Sequence, residues 1–295
     1  MLRYSLPLLA LGIAHAASAQ STSLDVRWTP ERPPPGTLVR ITAVASDSLS
    51  VAGLEGRVAD QPLHFASSSD AYIAYAGIPS DAPDSVMLAL VVRGVGQTAD
   101  TISLRIPVHV EPAPEAKSGE RLRVAPRFSR SPDSALAARI ARESAMAMEV
   151  ARRAHETPRL WEGPFARPRD SRITSRFGTG RVFNGAVRSR HFGVDFAGAT
   201  GAPVRAANRG VVALVADFHL AGNAIYVDHG EGLVTGYFHL SRADVAVGDT
   251  VSRGDIIGRV GATGRVTGPH LHWIARYGTV TVDPLSVVDA TKEGN

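Results

Sequence analysis

Cysteine is absent from this chain of 295 residues. Its absence excludes a disulfide scaffold, a cysteine nucleophile and any metal site built on thiolates, so a metal site here must use His, Asp or Glu. Lysine is also scarce: Lys117 and Lys292 are the two lysines, and arginine supplies the other basic side chains. Because 44% of the residues are hydrophobic and 20% are charged, wholesale disorder is excluded.

The chain also lacks a long hydrophobic run. A membrane-spanning helix needs about 20 apolar residues, and the apolar stretch 6–17 is shorter and contains His15. Arg3 precedes this stretch and a small-residue motif, Ala-Ser-Ala, ends it at 17–19. This order is typical of a secretory signal peptide. We therefore predict that residues 1–19 are a signal peptide, and that the protein is exported to the periplasm or the extracellular side of the cell envelope without stable membrane insertion.

Residues 20–112 read as short strands separated by turns rich in Pro, Gly and Asp. Their spacing favours an immunoglobulin-like β-sandwich. His64 and His109 are isolated within this region, and we interpret both as structural residues. The strand-like runs are 38–44, 72–75, 86–92 and 102–106.

A Pro-rich segment follows, and residues 113–170 are predicted to be a linker with one helix. Ser131 and Pro132 suit the N-cap and the first helical position, and Ala-rich sequence continues to about His155. A new β-rich region then begins, so we place the second domain at 171–290.

Charge differs between the two halves. Residues 20–112 carry a formal charge of −4, whereas residues 113–295 carry +7. A cationic half favours an anionic partner. Nucleic acid is not predicted, since the chain shows no helix-turn-helix and no aromatic stacking platform. A polyanionic cell envelope fits an exported protein better.

Potential metal ligands cluster in three short segments of the second domain: 190–196, 237–241 and 268–273. Side chains on a strand alternate between faces, so His270 and His272 point the same way. An extended backbone would also place His191 and Asp195 on one face. Two His and one Asp form a zinc set that leaves a position open for water, which is typical of catalytic zinc. Zinc lowers the pKa of bound water to about 7.

These segments also resemble the lysostaphin-like (LytM-type) zinc endopeptidases that cut peptidoglycan peptides. The resemblance covers residues 171–288. It is carried by Thr-Ser-Arg-Phe-Gly at 174–178, His191-x-x-x-Asp195, Gly-Asn-Ala-Ile-Tyr-Val-Asp-His-Gly at 222–230, Tyr-Phe-His-Leu-Ser at 237–241, the glycine-spaced run 247–258 and Gly-Pro-His-Leu-His at 268–272.

The resemblance implies a compact, mostly antiparallel β domain with a duplicated hybrid motif and one Zn²⁺ per chain. It implies that His191, Asp195 and His272 bind the zinc. His239 and His270 would lie beside the bound water and the substrate carbonyl, as general base or as donors to the oxyanion.

The implied function is hydrolysis of peptide bonds in peptidoglycan by a metalloprotease. Two alternatives stay open at this point. One is a non-catalytic envelope protein that regulates a cell-wall amidase, and the other is a zinc peptidase that acts on a secreted protein. Complete occupation of the ligand positions argues against the first alternative.

Six further residues near these motifs also carry expectations. We interpret His229 as a turn residue and His219 as a surface or loop residue. Tyr237 either lines the groove or packs in the core, and Trp273 is expected in the core. Arg176 and Asn184 lie in segments that could border the substrate.

Overall fold

The computed structural model describes residues 24–46, 49–95, 98–110, 119–128, 131–185 and 187–292. The predicted signal peptide lies outside these ranges. Within them the protein is mostly β, and its paired strands are antiparallel with one exception described below. Neither α-helix in the described ranges has the length and apolar character required to cross a bilayer.

The N-terminal region consists of two four-stranded antiparallel sheets, in the orders β1-β2-β6-β5 and β4-β3-β7-β8. Strand β7 alternates between buried and more exposed positions, as expected for a sheet with one face in the core. Buried residues from both sheets form one cluster, which includes Ile41 and Leu88. The strands are β1 Leu24–Thr29, β2 Leu38–Ala45, β3 Val51–Val58, β4 Gln61–Leu63, β5 Ala66–Ser68, β6 Ala71–Gly77, β7 Ser85–Gly94 and β8 Asp100–Pro107.

The predicted linker contains more structure than one helix. A short strand, β9 at Glu120–Leu122, and a 3₁₀ turn at Pro126–Phe128 precede helix α1 at Ser134–Arg153. The predicted N-cap, Ser131, is wrong. Asp133 caps the helix instead, because its carboxylate accepts the backbone N–H of Leu136 at 2.8 Å.

The C-terminal region is built on a ten-stranded sheet whose main path runs β10-β13-β20-β17-β16-β15-β18, with β14, β19 and β21 attached to it. The strands are β10 Ile173–Ser175, β11 Gly180–Phe183, β12 Val187–Arg190, β13 Val194–Ala197, β14 Pro203–Arg205, β15 Gly210–Phe218, β16 Gly222–Gly230, β17 Leu233–Ala243, β18 Thr250–Val251, β19 Ile256–Val260, β20 His270–Tyr277 and β21 Val280–Val282; helix α2 is Pro284–Lys292.

Strands β11 and β12 form a hairpin outside this sheet, and β9 pairs with β11 in parallel. Ala147 of helix α1 and its C-cap residue Ala154 belong to a core that covers Tyr226, Val234 and Ile274. The segment before the second domain therefore supplies a strand beside one hairpin and a helix over the main sheet.

The two β regions pack against each other. Leu38 and Tyr75 of the N-terminal sheets belong to the core of the C-terminal region. Leu38 also donates its backbone N–H to the Ser286 hydroxyl of α2 at 2.8 Å. The shared core and this hydrogen bond fix the N-terminal sheets against α2.

Candidate metal centre and active site

Three predicted metal ligands meet where β13 and β20 run side by side. Asp195 on β13 is paired in register with His272 on β20. His191 follows the end of β12, and its backbone N–H donates to Thr179 at 2.9 Å. This bond turns the His191 ring toward the Asp195 carboxylate, although the backbone between the two residues is not a continuous strand.

The ligand atoms of these residues form a tight triangle. His191 Nε2 lies 3.0 Å from Asp195 Oδ1, His272 Nδ1 lies 2.7 Å from the same oxygen, and the two nitrogens are 2.8 Å apart. Among the described residues this is the one group of three or more His, Asp or Glu side chains positioned to hold a metal ion. Tetrahedral zinc with bonds of about 2.0–2.1 Å separates its ligand atoms by about 3.3 Å, so the triangle fits zinc after a small outward shift.

Charge and protonation at the cluster also suit a cation. Burial raises the pKa of Asp195, but its contacts with the His191 and His272 rings outweigh burial and hold that pKa well below its usual range. Burial lowers the pKa of His272 to about 4. His191 Nδ1 faces the Arg176 carbonyl oxygen at 2.9 Å, and because that oxygen only accepts, Nδ1 carries the proton and Nε2 is free to ligate.

Gly193 lies between His191 and Asp195 and allows the cluster to close. A Cβ at this position would lie 2.6 Å from His272 Cε1 and 2.6 Å from the Trp273 carbonyl oxygen. Side chains do not tolerate such distances, so only glycine permits this approach of β13 to the His272 ring.

His239 reaches the cluster through a β-bulge in β17. Tyr237 pairs with Ile225, but Leu240 pairs with Asn223, so β17 has one residue more than β16 over this stretch. His239 takes a positive φ of 62°, a conformation uncommon for residues other than glycine. The bulge lets Tyr237 and Leu240 share the same core while His239 turns out of it, and its ring lies 4.9 Å from that of His270.

The tautomers of His239 and His270 follow from their partners. His239 Nδ1 lies 2.8 Å from the Thr263 carbonyl oxygen, and His270 Nδ1 lies 2.9 Å from that of Gly268. Both Nδ1 atoms must donate, so in the neutral rings both Nε2 atoms are proton acceptors. His270 Nε2 is 3.8 Å from Asp195 Oδ1. Burial, followed by the neighbouring histidines, holds the pKa of His239 well below its ordinary value.

Two cavities open on either side of this cluster, with volumes of about 400 and 240 Å³. The larger includes Asp195 and His270 in its lining, and the smaller includes His191 and His272. His239 lines both. A bound chain molecule could therefore cross the histidines and extend in both directions.

Other predicted residues take structural positions. Trp273 is fully buried, as expected, and Tyr237 is also fully buried, which assigns it to the core and not to the groove. Arg176 contacts the site through its backbone carbonyl. Asn184 forms a pair of hydrogen bonds with the Val124 backbone, at 3.0 and 2.9 Å.

The interpretation of His229 as a turn residue is wrong. It lies in β16, fully buried, because the strand continues to Gly230 and the turn begins after it. Its Nδ1 donates to the Arg209 carbonyl oxygen, and its Nε2 lies 2.8 Å from the Thr235 hydroxyl. His219 lies in the turn after β15, as predicted.

His64 is not isolated, contrary to the prediction. Its Nε2 lies 2.9 Å from Nδ1 of His155, which follows helix α1. His155 in turn packs edge-on against Tyr277 of the C-terminal sheet. The pair is therefore a structural contact between the two β regions.

Sequence analysis missed two charged residues at the cluster. Arg181 on β11 donates to Asp195 Oδ2 at 2.5 Å and to Glu120 of β9 at 3.0 Å. Arg181 follows the Thr-Ser-Arg-Phe-Gly motif closely and could have been suspected from that proximity. No local signal marks Glu120, because its position depends on the pairing of β9 with β11.

With the site's geometry established, comparison with known proteins identifies the domain. Residues 189–284 match the family described as Peptidase family M23. This range includes all five predicted site residues. The C-terminal region of the chain is therefore a peptidase family M23 domain.

Two similar relatives carry names that describe their activities. The chain is 45% identical over 103 residues to "DD-carboxypeptidase/endopeptidase Mpg" of Neisseria meningitidis serogroup B, and 45% identical over 103 residues to "Peptidoglycan DD-endopeptidase ShyA" of Vibrio cholerae serotype O1. Each match covers 35% of this chain and 24% of the relative. The chain thus spans about a quarter of the length of these relatives.

A solved structure matches over a much larger part of the chain. The crystal structure of a peptidase M23 from Pseudomonas aeruginosa has a TM-score of 0.66 and 27% sequence identity, and the match covers 88% of this chain and 96% of that one. The lysostaphin-like peptidase fold and the mostly β architecture are confirmed.

Proposed function

We propose that the protein is a zinc-dependent endopeptidase that hydrolyses peptide bonds of peptidoglycan in the cell envelope, on the periplasmic or extracellular side. The observation that carries the proposal is the arrangement of His191, Asp195 and His272, with two proton-accepting histidines beside them in an open groove. The peptidoglycan endopeptidases named above support the substrate class.

His191, Asp195 and His272 would hold one zinc ion per chain. Bound there, zinc would polarise a carbonyl oxygen and lower the pKa of a coordinated water to about 7. Contacts within the chain orient these ligands, since His191 Nδ1 faces a backbone carbonyl and Asp195 pairs with Arg181. Such outer contacts typically change metal affinity by about 10- to 100-fold.

His239 and His270 would act as general bases. Each has its Nδ1 proton fixed by a backbone carbonyl, so each offers an unprotonated Nε2 to the space beside Asp195. A base of this kind removes a proton from the attacking water and returns it to the leaving amine. Once protonated, the same Nε2 becomes a donor that stabilises negative charge on the carbonyl oxygen.

The groove explains cleavage within a chain. Because cavities extend on both sides of His239, substrate residues can bind before and after the scissile bond. The open geometry therefore supports an endopeptidase.

We also propose that the two N-terminal sheets form an immunoglobulin-like sandwich. They pack around one core in antiparallel sheets of four strands each. Among the described residues of this region no group of His, Asp and Glu side chains could hold a metal, which supports a role in spacing or partner binding.

The experiment is digestion of purified sacculi by the full-length chain, with products identified by mass spectrometry. We expect new amino and carboxyl ends at peptide bonds, with activity lost in a chelator. A protein that regulates an amidase would release no products by itself. A peptidase for secreted proteins would cleave unfolded protein but leave sacculi intact, and either result would contradict the proposal.

A further inference from the structure

We propose that Arg265 binds a carboxylate of the substrate, so that the groove selects peptides carrying a free acidic group next to the scissile bond. The inference rests on the proposed function and specifies the substrate class of the same site. Arg265 is not among the residues that we assign to metal binding or proton transfer.

Arg265 lies at the junction of the two cavities. Four residues line both cavities, and Arg265 is one of them, with Arg181, Phe183 and His239. Arg265 therefore lies where the two halves of the groove join, beside a proposed general base. A peptide that crosses the cluster must pass this side chain.

Arg181 and Arg265 differ in whether a carboxylate of the protein pairs with them. Arg181 is already paired, since it contacts Glu120 and Asp195. By contrast, no carboxylate in the part of the chain that the structure describes lies within 4.0 Å of the Arg265 guanidinium. Arg172 lines the larger cavity and Arg190 the smaller one, so the four arginines of the groove outnumber its two carboxylates, Glu120 and Asp195.

Burial of the Arg265 side chain also favours the binding of an anion. Arg265 is half-buried, and burial, followed by the charge of Arg181, lowers its pKa. An arginine stays charged in proteins despite such shifts. A half-buried cation beside a second cation is unfavourable until an anion binds, and a substrate carboxylate would supply that anion.

The Arg265 guanidinium is held in a fixed orientation by an aromatic ring. The Arg265 guanidinium lies 4.2 Å from the centre of the Phe183 ring, in cation–π geometry. Phe183 packs against Val124 and Phe128, which belong to the segment between β9 and α1. A planar guanidinium fixed in this way can present two N–H groups to one carboxylate. The segment before α1 thus helps to build the binding site.

Peptidoglycan stem peptides carry free carboxylates along and at the end of the chain. A groove with an unpaired arginine at its centre would bind such peptides better than neutral ones. Uncharged peptides, such as glycine bridges, would lack this contact.

The test compares one substrate in two forms. Cross-linked muropeptide dimers are prepared from sacculi, and half of the sample is amidated at its carboxyl groups. We expect the full-length protein to prefer the native form, and we expect the Arg265→Gln variant to lose roughly 10- to 100-fold in kcat/KM on the native form only. Arg265→Lys should recover part of the preference because it restores the charge without the bidentate geometry.

Arg242→Gln is the matched control. It removes one positive charge from the same domain, at an exposed position that lines neither cavity. We expect its preference for the native form to equal that of the unaltered protein. If Arg242→Gln lowers the preference as much as Arg265→Gln does, general charge attraction explains the selectivity and the proposal is overturned.

A binding measurement separates this inference from the proposed function. Monomeric muropeptides, which contain no cross-link, are titrated in native and amidated form by calorimetry. Tighter binding of the native form that is lost in Arg265→Gln supports the inference even if no hydrolysis occurs. The proposal is overturned if the unaltered protein cleaves and binds the native and amidated forms equally. It is also overturned if Arg265→Gln loses the same factor on both forms.

Discussion

Among the residues that the structure describes, histidines contact one another in two groups, and the two groups differ in what surrounds them. His191 and His272 share a buried carboxylate, Asp195, and face a groove. His64 and His155 contact each other between the two β regions, with Gln61 as the further partner, 3.3 Å from His155 Nε2. The carboxylate and the open cavity, more than the histidines themselves, distinguish a metal site from a packing contact.

Proton positions show the same difference. Gln61 Oε1 accepts the backbone N–H of Thr279, so it is an oxygen, and His155 Nε2 must donate to it. His155 Nδ1 then accepts from His64 Nε2, so both ring nitrogens of His155 are bonded to neighbouring side chains. At the groove, His191, His239 and His270 each donate their Nδ1 proton to a backbone carbonyl, so their Nε2 atoms are unprotonated in the neutral rings.

The largest effect is expected when the carboxylate is removed from the first group. Asp195→Asn keeps the shape of the side chain but removes its charge, so zinc should be lost and sacculus digestion should fall by about 10³-fold or more. Metal analysis and a digestion assay on the same sample measure both. His155→Gln serves as the control and should keep its zinc; a zinc-loaded Asp195→Asn protein would contradict the assignment.

His239→Ala and His270→Ala test the division of roles within the groove. Both variants should keep zinc and lose about 10²- to 10⁴-fold in turnover, because a positioned base is removed while the three ligands stay in place. Zinc content and kcat are measured together. Loss of zinc from either variant would show that its histidine is a ligand.

Gly193→Ala tests how closely the cluster must pack. The added methyl would displace the His272 ring, so zinc affinity should fall by about 10- to 100-fold, the size reported for disturbed ligand orientation. Competition with a chelator measures the affinity. Gly268→Ala is the control, since a Cβ there meets open space, and an equal loss in both variants would indicate a general effect of alanine.

The smallest effect concerns the second group and pH. Burial, followed by the charge of His64, lowers the pKa of His155 to about 4, while an unfolded histidine titrates near 6.5. The unfolded chain therefore binds more protons between about pH 6.5 and 4, and stability should decrease as the pH falls through this window. Thermal unfolding of metal-free protein should show a shallower decrease in His155→Gln than in the unaltered chain. Equal slopes of stability against pH in the two proteins would show that the contact between His64 and His155 does not cause the decrease.

Part of the site could be predicted from local rules. His270 and His272 lie on one strand, so alternation alone places them on one face, and the structure has both on β20. Asp195 opposite His272 follows from strand pairing, which the sequence does not specify. Local patterns gave the ligand types but not their register.

Other features depended on contacts between distant segments. The bulge at His239 exists because Leu240 must reach the core after Tyr237, and a sequence read as regular alternation cannot indicate it. The pairing of β9 with β11 is equally non-local, so the sequence of residues 113–170 predicts a linker with one helix and does not indicate this strand. His229 was misread because Asp228 and Gly230 are common in turns, whereas here they end a long strand.

Zinc reconstitution of the full-length protein tests the central claim most directly. The protein is stripped with a chelator, titrated with zinc, and assayed for sacculus digestion at each step. We expect digestion to be absent in the stripped protein, to rise in proportion to zinc, and to reach its plateau at about one zinc per chain. Full digestion by metal-free protein, or a plateau that does not depend on zinc, would contradict the account.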